Sequence, residues 1–115
     1  MKIPFLSVCA LVLSGCATDP APSEQLRLTE QAIVQARAVG ATEQVPALRQ
    51  AEDKLANATA AMKDRDYRRA RLQAEQAELD ARYAEAQVLN DKSELQLNEL
   101  NRRIARLREQ LGALR

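Results

Sequence analysis

Apolar positions along this chain change their rhythm three times. Residues 3 to 13, IPFLSVCALVL, form an uncharged and largely apolar run. From about residue 24 the apolar positions recur at intervals of three and four, the repeat of a helix with one buried face. Leu28, Ala32, Ala36 and Val39 share such a face, with Ser23 placed to cap the helix and Gly40 to stop it. This predicts a first helix over about 24–39. Proline is tolerated in a first helical turn, so the GATEQVP segment ending at Pro46 marks a break followed by a new start. Leu48, Ala51, Leu55, Ala58 and Met62 then define a second helix over about 45–63.

The KDRDY punctuation offers Asp64 or Asp66 as the cap of a third helix. A turn this short makes the second and third helices antiparallel neighbours. Ala70, Ala74, Ala77, Ala81 and Ala84 continue the three-four spacing, and no stop is met before Gly112. A helix over about 66–112 is about 70 Å long at 1.5 Å per residue. Its second half changes character. Leu97, Leu100, Ile104, Leu107, Leu111 and Leu114 make a heptad seam, with Leu97, Ile104 and Leu111 at position a. Traced backwards, the seam meets Ser93 and Asn90. The expected architecture is all-α. An elongated, alanine-rich helical hairpin follows a short helix, and its long C-terminal helix ends in a coiled-coil segment.

Composition supports that picture. Aromatic residues are 3% of the chain, Phe5, Tyr67 and Tyr83, and there is no histidine or tryptophan. Alanine favours helix and buries little area, so closely spaced helices are expected rather than a thick core. Tyr67 is expected to pack back over the hairpin end. Lacking histidine, the chain lacks the usual general base near neutral pH and the commonest metal ligand. The paired acids Glu75, Glu78 and Asp80 lie on a solvated helix beside arginines, without a pocket to raise a carboxyl pKa. No catalytic residue and no metal site is expected.

The opening run has the shape of a processing signal. It follows Lys2, and its eleven residues would reach only about 16 Å as helix, roughly half a bilayer core. At its end LSGC resembles the lipobox of bacterial lipoproteins: an aliphatic residue, two small residues and a cysteine. The resemblance implies cleavage between Gly15 and Cys16 and a covalent lipid on the Cys16 thiol. Residues 1–15 are then a lipoprotein signal peptide. Cys9, preceded by Val8, is an apolar filler removed with it. Residues 16–24 form a lipidated tether kept extended by Pro20 and Pro22. Ala17, where enteric-type lipoproteins retained in the inner membrane carry aspartate, implies the periplasmic face of the outer membrane.

Charge adds one regional feature. Once Lys2 is removed, 16 basic residues face 16 acidic ones, yet residues 101–115 hold Arg102, Arg103, Arg106, Arg108 and Arg115 against Glu109 alone. Arg102, Arg103, Arg106 and Arg108 are candidates for docking on an anionic surface; they equally suit the negative end of a helix dipole. A nucleic-acid partner is not expected of an exported chain so poor in aromatic residues.

The central stretch, residues 36 to 87, resembles the domain-of-unknown-function 4398 family of short helical bacterial lipoproteins. The matching features are the GA…VPAL entry into the second helix, KLANATAA, and DYRRARLQAEQA. The resemblance implies an envelope lipoprotein without an assigned activity. Some relatives are associated with OmpA-like peptidoglycan-binding domains. The major outer-membrane lipoprotein, also a lipidated helix, is tied to peptidoglycan by a terminal lysine; Arg115 is a poor nucleophile, so no such link is expected.

The expected function is that of a non-enzymatic envelope lipoprotein, a membrane-anchored periplasmic spacer or adaptor working through helix-helix contacts. The seam residues Leu97, Leu100, Ile104, Leu107 and Leu111 would carry those contacts. The partner would be a second copy or a helical envelope protein, an OmpA-like one included. In a parallel dimer Arg103 at g would oppose Arg108 at e of its partner, which favours an antiparallel pair or a different partner. The alternative is a periplasmic carrier or sensor of an anionic or apolar envelope ligand, which would need a cavity in the hairpin.

Overall fold

The computed structural model describes residues 19–114; the signal segment, Gly15, Cys16 and the first tether residues lie outside the described residues, as does Arg115. Three helices follow in order: α1 (Ser23–Ala38), α2 (Pro46–Lys63) and α3 (Tyr67–Ala113). Their boundaries fall within one residue of those read from the periodicity.

The ends show which local signals act. Pro22, not Ser23, is the N-cap of α1, and Ser23 enters the first turn without capping by its side chain. At the other end the amide of Ala41 donates to the Ala36 carbonyl at 2.9 Å and that of Gly40 to the Arg37 carbonyl at 2.9 Å. This crossed pair is the Schellman closure, and Gly40 supplies its left-handed residue with φ of +107°. Pro46 occupies the first turn of α2, where its missing N–H costs nothing.

Helix α2 closes in the same manner. Asp66 donates to the Ala61 carbonyl at 2.9 Å and Arg65 to the Met62 carbonyl at 3.1 Å, but the left-handed position is filled by Arg65, with φ of +58°. Asp66 then caps α3, its Oδ1 accepting from the Arg69 amide at 3.1 Å. Gly112 does not stop α3: it lies inside the helix, which ends one residue later. A lone glycine weakens a helix without ending it.

Helix α3 is the spine, packing against both other helices, whereas α1 and α2 touch each other less. Ala70, Ala74, Ala77, Ala81 and Ala84 are all fully buried on one face of α3, as the spacing predicts. From α2 come Ala47, Leu48, Ala51, Ala58 and Ala61; Leu55 and Met62 are half-buried. An alanine methyl contributes about 0.8 kcal/mol when removed from water, so the core gains little from bulk. What these residues supply is close approach of the helix backbones.

The buried face of α1 is rotated from the expected one. Thr29, Ile33 and Ala36 point inward, and Leu28 is left 38% exposed. Thr29 lies fully buried because its hydroxyl has carbonyls on two sides, Gln25 in its own helix and Ala74 in α3, each 2.9 Å away. A buried hydroxyl needs such a partner, and here both helices supply one. Periodicity ranks leucine above threonine and so misses this register.

Ion pairs tie the three helices together along their edges. Lys54 of α2 meets Asp80 of α3 at 2.5 Å, and Arg37 of α1 meets Glu52 of α2 at 2.5 Å. Glu78 of α3 accepts from Gln25 Nε2 of α1 at 2.7 Å and from Arg82 Nη2 at 2.6 Å. These donors, Gln25 first and Arg82 second, hold the Glu78 carboxyl below its ordinary pKa of 4.5 against the opposing effect of burial.

Candidate interaction surface

Two ends of α3 have different surroundings, and the first is where the chain enters. Arg71 Nη2 donates to the Pro20 carbonyl at 3.2 Å, and Asp19 lies beside Arg65, Asp66, Tyr67 and Arg68. Helix α1 therefore starts beside the first turns of α3 and runs parallel to it, with α2 antiparallel between the two turns. Tyr67 is half-buried in this cluster, at the hairpin end where it was expected. Lys63, Arg65, Arg68 and Arg69 are exposed here, and among the described residues none of them pairs with a carboxylate.

Coverage of α3 ends where α1 ends. The Lys92 ammonium donates to the Val39 carbonyl, closing the C-terminus of α1, and a side chain at position 40 would meet Lys92 Nζ at 3.3 Å. Val88 is the last half-buried residue of α3; residues 89–114 are exposed throughout. About 25 residues, or roughly 37 Å of helix, thus extend beyond the packed part.

The seam residues all lie on this extension. Leu97, Leu100, Ile104, Leu107 and Leu111 are between 43% and 66% exposed, and Leu114 more so. At 100° per residue their stripe is rotated roughly 130° from the alanine face that α1 and α2 cover, so the packed part does not shield it. A contiguous apolar stripe of this kind on a helix marks a contact surface. The helix beneath is supported locally: Arg103 pairs with Glu99 one turn back, and Asn90 donates to Glu94 at 3.1 Å. Such pairs contribute modestly to a solvated helix.

The four arginines divide by register. Arg103 at g and Arg108 at e flank the seam, whereas Arg102 and Arg106 occupy the outward face at f and c. Among the described residues only Arg103 of the four meets a carboxylate. They lie at the opposite end of α3 from Asp19 and Pro20.

Between α1 and α3 a shallow open groove is lined by Leu28, Gln31, Ala32, Gln35, Arg82 and Glu85. Gln35 Nε2 donates to Glu85 Oε1 across it at 3.2 Å. The hairpin seam itself is lined by the fully buried alanines of α2 and α3.

Residues 24–100 match the family described as a domain of unknown function, DUF4398. The chain belongs to that family. It is similar to the crystal structure of a DUF4398 family protein from Pseudomonas aeruginosa PAO1, with 58% identity and a TM-score of 0.80, over 84% of this chain and 100% of the other. Comparison with curated proteins gives no match. The family match stops at residue 100, while α3 continues to Ala113, so most of the apolar tip follows the matched DUF4398 segment.

Sequence reasoning located the tip and the alanine spine. It did not find the entry contact of Pro20 with Arg71, the Lys92 cap on α1, or Thr29. Each joins residues more than 40 positions apart. The only local signal was a threonine standing next to the apolar stripe.

Proposed function

We propose that this DUF4398 protein is a non-enzymatic, lipid-anchored envelope protein of the periplasmic face of the outer membrane. It acts as a helical spacer or adaptor that presents the apolar tip of α3 to a helical partner. The observation that supports this reading is the opposition of the two ends. Pro20 is held beside Arg71, so the chain reaches α1 at that end of α3. The stripe through Leu111 lies at the other end of the same helix, about 60 Å further on. A rod tied at one end and apolar at the other holds a binding surface away from its anchor.

The chemistry of the anchor suits the arrangement. Lipid on Cys16 would contribute about 0.8 kcal/mol per buried CH₂, and several chains make attachment effectively permanent. Exposed Lys63, Arg65, Arg68 and Arg69 would then sit nearest the headgroups, where positive charge is favoured. No helix among the described residues is long and apolar enough to cross a membrane.

Two variants test the reading together. Cys16→Ala is expected to abolish processing at Gly15–Cys16 and incorporation of labelled palmitate. Deleting residues 96–115 is expected to leave lipidation intact and remove envelope crosslinks made by the wild type. A Cys16→Ala chain that still incorporates palmitate would refute the anchor. Unchanged crosslinks without the tip would refute the adaptor role.

A further inference from the structure

We infer that the hairpin end, where α2 turns into α3, is a docking foot for the anionic phospholipid headgroups of the membrane that carries the tether. The inference rests on the anchored reading. It names the surface, beside the lipid, through which the folded body meets that membrane.

Positive charge is concentrated at this end. Residues 63–71, KDRDYRRAR, hold Lys63, Arg65, Arg68, Arg69 and Arg71 against Asp64 and Asp66. Arg71 is engaged with the Pro20 carbonyl, and Asp66 Oδ1 with the Arg69 amide. Asp19 is a third acid here, beside Arg65 and Arg68. Lys63, Arg65, Arg68 and Arg69 are nonetheless exposed, and among the described residues none of them forms an ion pair. Elsewhere in the packed body Arg27, Arg37, Lys54 and Arg82 each meet a carboxylate.

The backbone of Arg65 is a second, independent observation. It closes α2 with φ of +58°, a conformation that favours glycine, and Gly40 fills the same role in α1. Strained residues of this kind collect where a binding surface needs their side chain. Here the strain keeps a guanidinium on the turn at the very end of the hairpin, where glycine would present none.

The covalent chain sets the distance to the membrane. Asp19 lies against this cluster and is three residues from Cys16, a span of at most about 11 Å whatever path it follows. That is close to the screening length, about 8 Å at physiological ionic strength. Lipid on Cys16 would therefore hold these cations where the potential of anionic headgroups still acts. The tether brings only the hairpin end this near; Arg102 and Arg106 lie about 50 Å further along α3. Lipid fixes one point of the chain. The foot adds a second contact and so restricts how the rod is oriented on the membrane.

Lysine reactivity of the full lipidated chain tests this. The protein, in mild detergent, is added to preformed vesicles of phosphatidylcholine alone or with phosphatidylglycerol. A water-soluble N-hydroxysuccinimide ester then acetylates the lysines, and mass spectrometry reads Lys63 against Lys92, at the other end of the packed body. With phosphatidylglycerol, Lys63 is expected to react several-fold more slowly relative to Lys92 than with phosphatidylcholine alone, and high salt should abolish the difference. Arg68→Gln combined with Arg69→Gln should remove most of this shielding. Arg65→Gly should remove part of it while stabilising the fold, so that loss cannot come from unfolding. Lys63 reacting alike on both vesicles would overturn the foot, as would shielding that survives the Arg68 and Arg69 substitutions. Shielding lost instead through Arg102→Gln with Arg106→Gln would place the contact at the tip and overturn it as well. The mass of the same sample reports lipid on Cys16 independently. A lipidated chain without selective shielding refutes the foot and keeps the anchor; an unlipidated chain with it refutes the anchor and keeps the foot.

Discussion

Arg65 holds a position that chemistry normally gives to glycine. It closes α2 with φ of +58°, where a β-carbon crowds the following carbonyl. The same closure in α1 uses Gly40. Arg65→Gly is therefore expected to raise stability by about 0.5–1 kcal/mol, less than the strain removed because glycine also loosens the unfolded chain. A chemical denaturation midpoint shifted downward would contradict this. Glu78 gives the pH dependence at this scale. Its folded pKa lies below the ordinary 4.5, so its contribution is present above the unfolded value and is lost as pH falls through the folded one. Wild-type stability should decline below about pH 4.5, and Glu78→Gln should decline less over that window while being weaker at pH 7. Equal slopes for the two proteins would show that the bridge from Gln25 and Arg82 carries no linkage. None of this was legible locally. KDRDY announces a turn, but which of its residues turns left-handed depends on how α3 returns along α2.

Among the elements, α3 shows how one helix serves two purposes by changing its pattern. Its first half is alanine on one face because two helices approach there; its second half is leucine because none does. Ala77 is fully buried at the centre of the alanine seam. Ala77→Leu would insert three carbons where the backbones of α1 and α2 crowd α3, and overpacking typically costs about 1–3 kcal/mol. Thermal unfolding should register that loss, and a neutral result would mean the seam holds unrecognised space. The alanine spacing of α3 was fully readable because one residue type marks a straight stripe. That of α1 was not. Its inward face passes through Thr29, whose burial depends on a carbonyl of Ala74, 45 residues later. Hydropathy alone places Leu28 there instead.

For the whole molecule, the packed and projecting parts should differ in stability. Residues 97–113 have only helical hydrogen bonds and local pairs to hold them, and isolated helices of such length are marginal in water. In dilute solution their amides should exchange with deuterium well before those of residues 70–84. Uniform protection in dilute solution would mean that the tip is held by its own chain.

The order of three helices, their lengths to within a residue, the alanine spine and the leucine stripe were all determined by sequence alone. Each is a periodic or terminal signal contained within a few turns. The assignment to DUF4398 agrees with the resemblance read from residues 36 to 87. Only the tertiary structure decided the rest: that α1 lies parallel to α3, that the chain enters beside Arg71, and that the cover ends at Lys92. These facts join residues about fifty positions apart. No local pattern carries such information, because it depends on which faces meet when three short-range helices share one core.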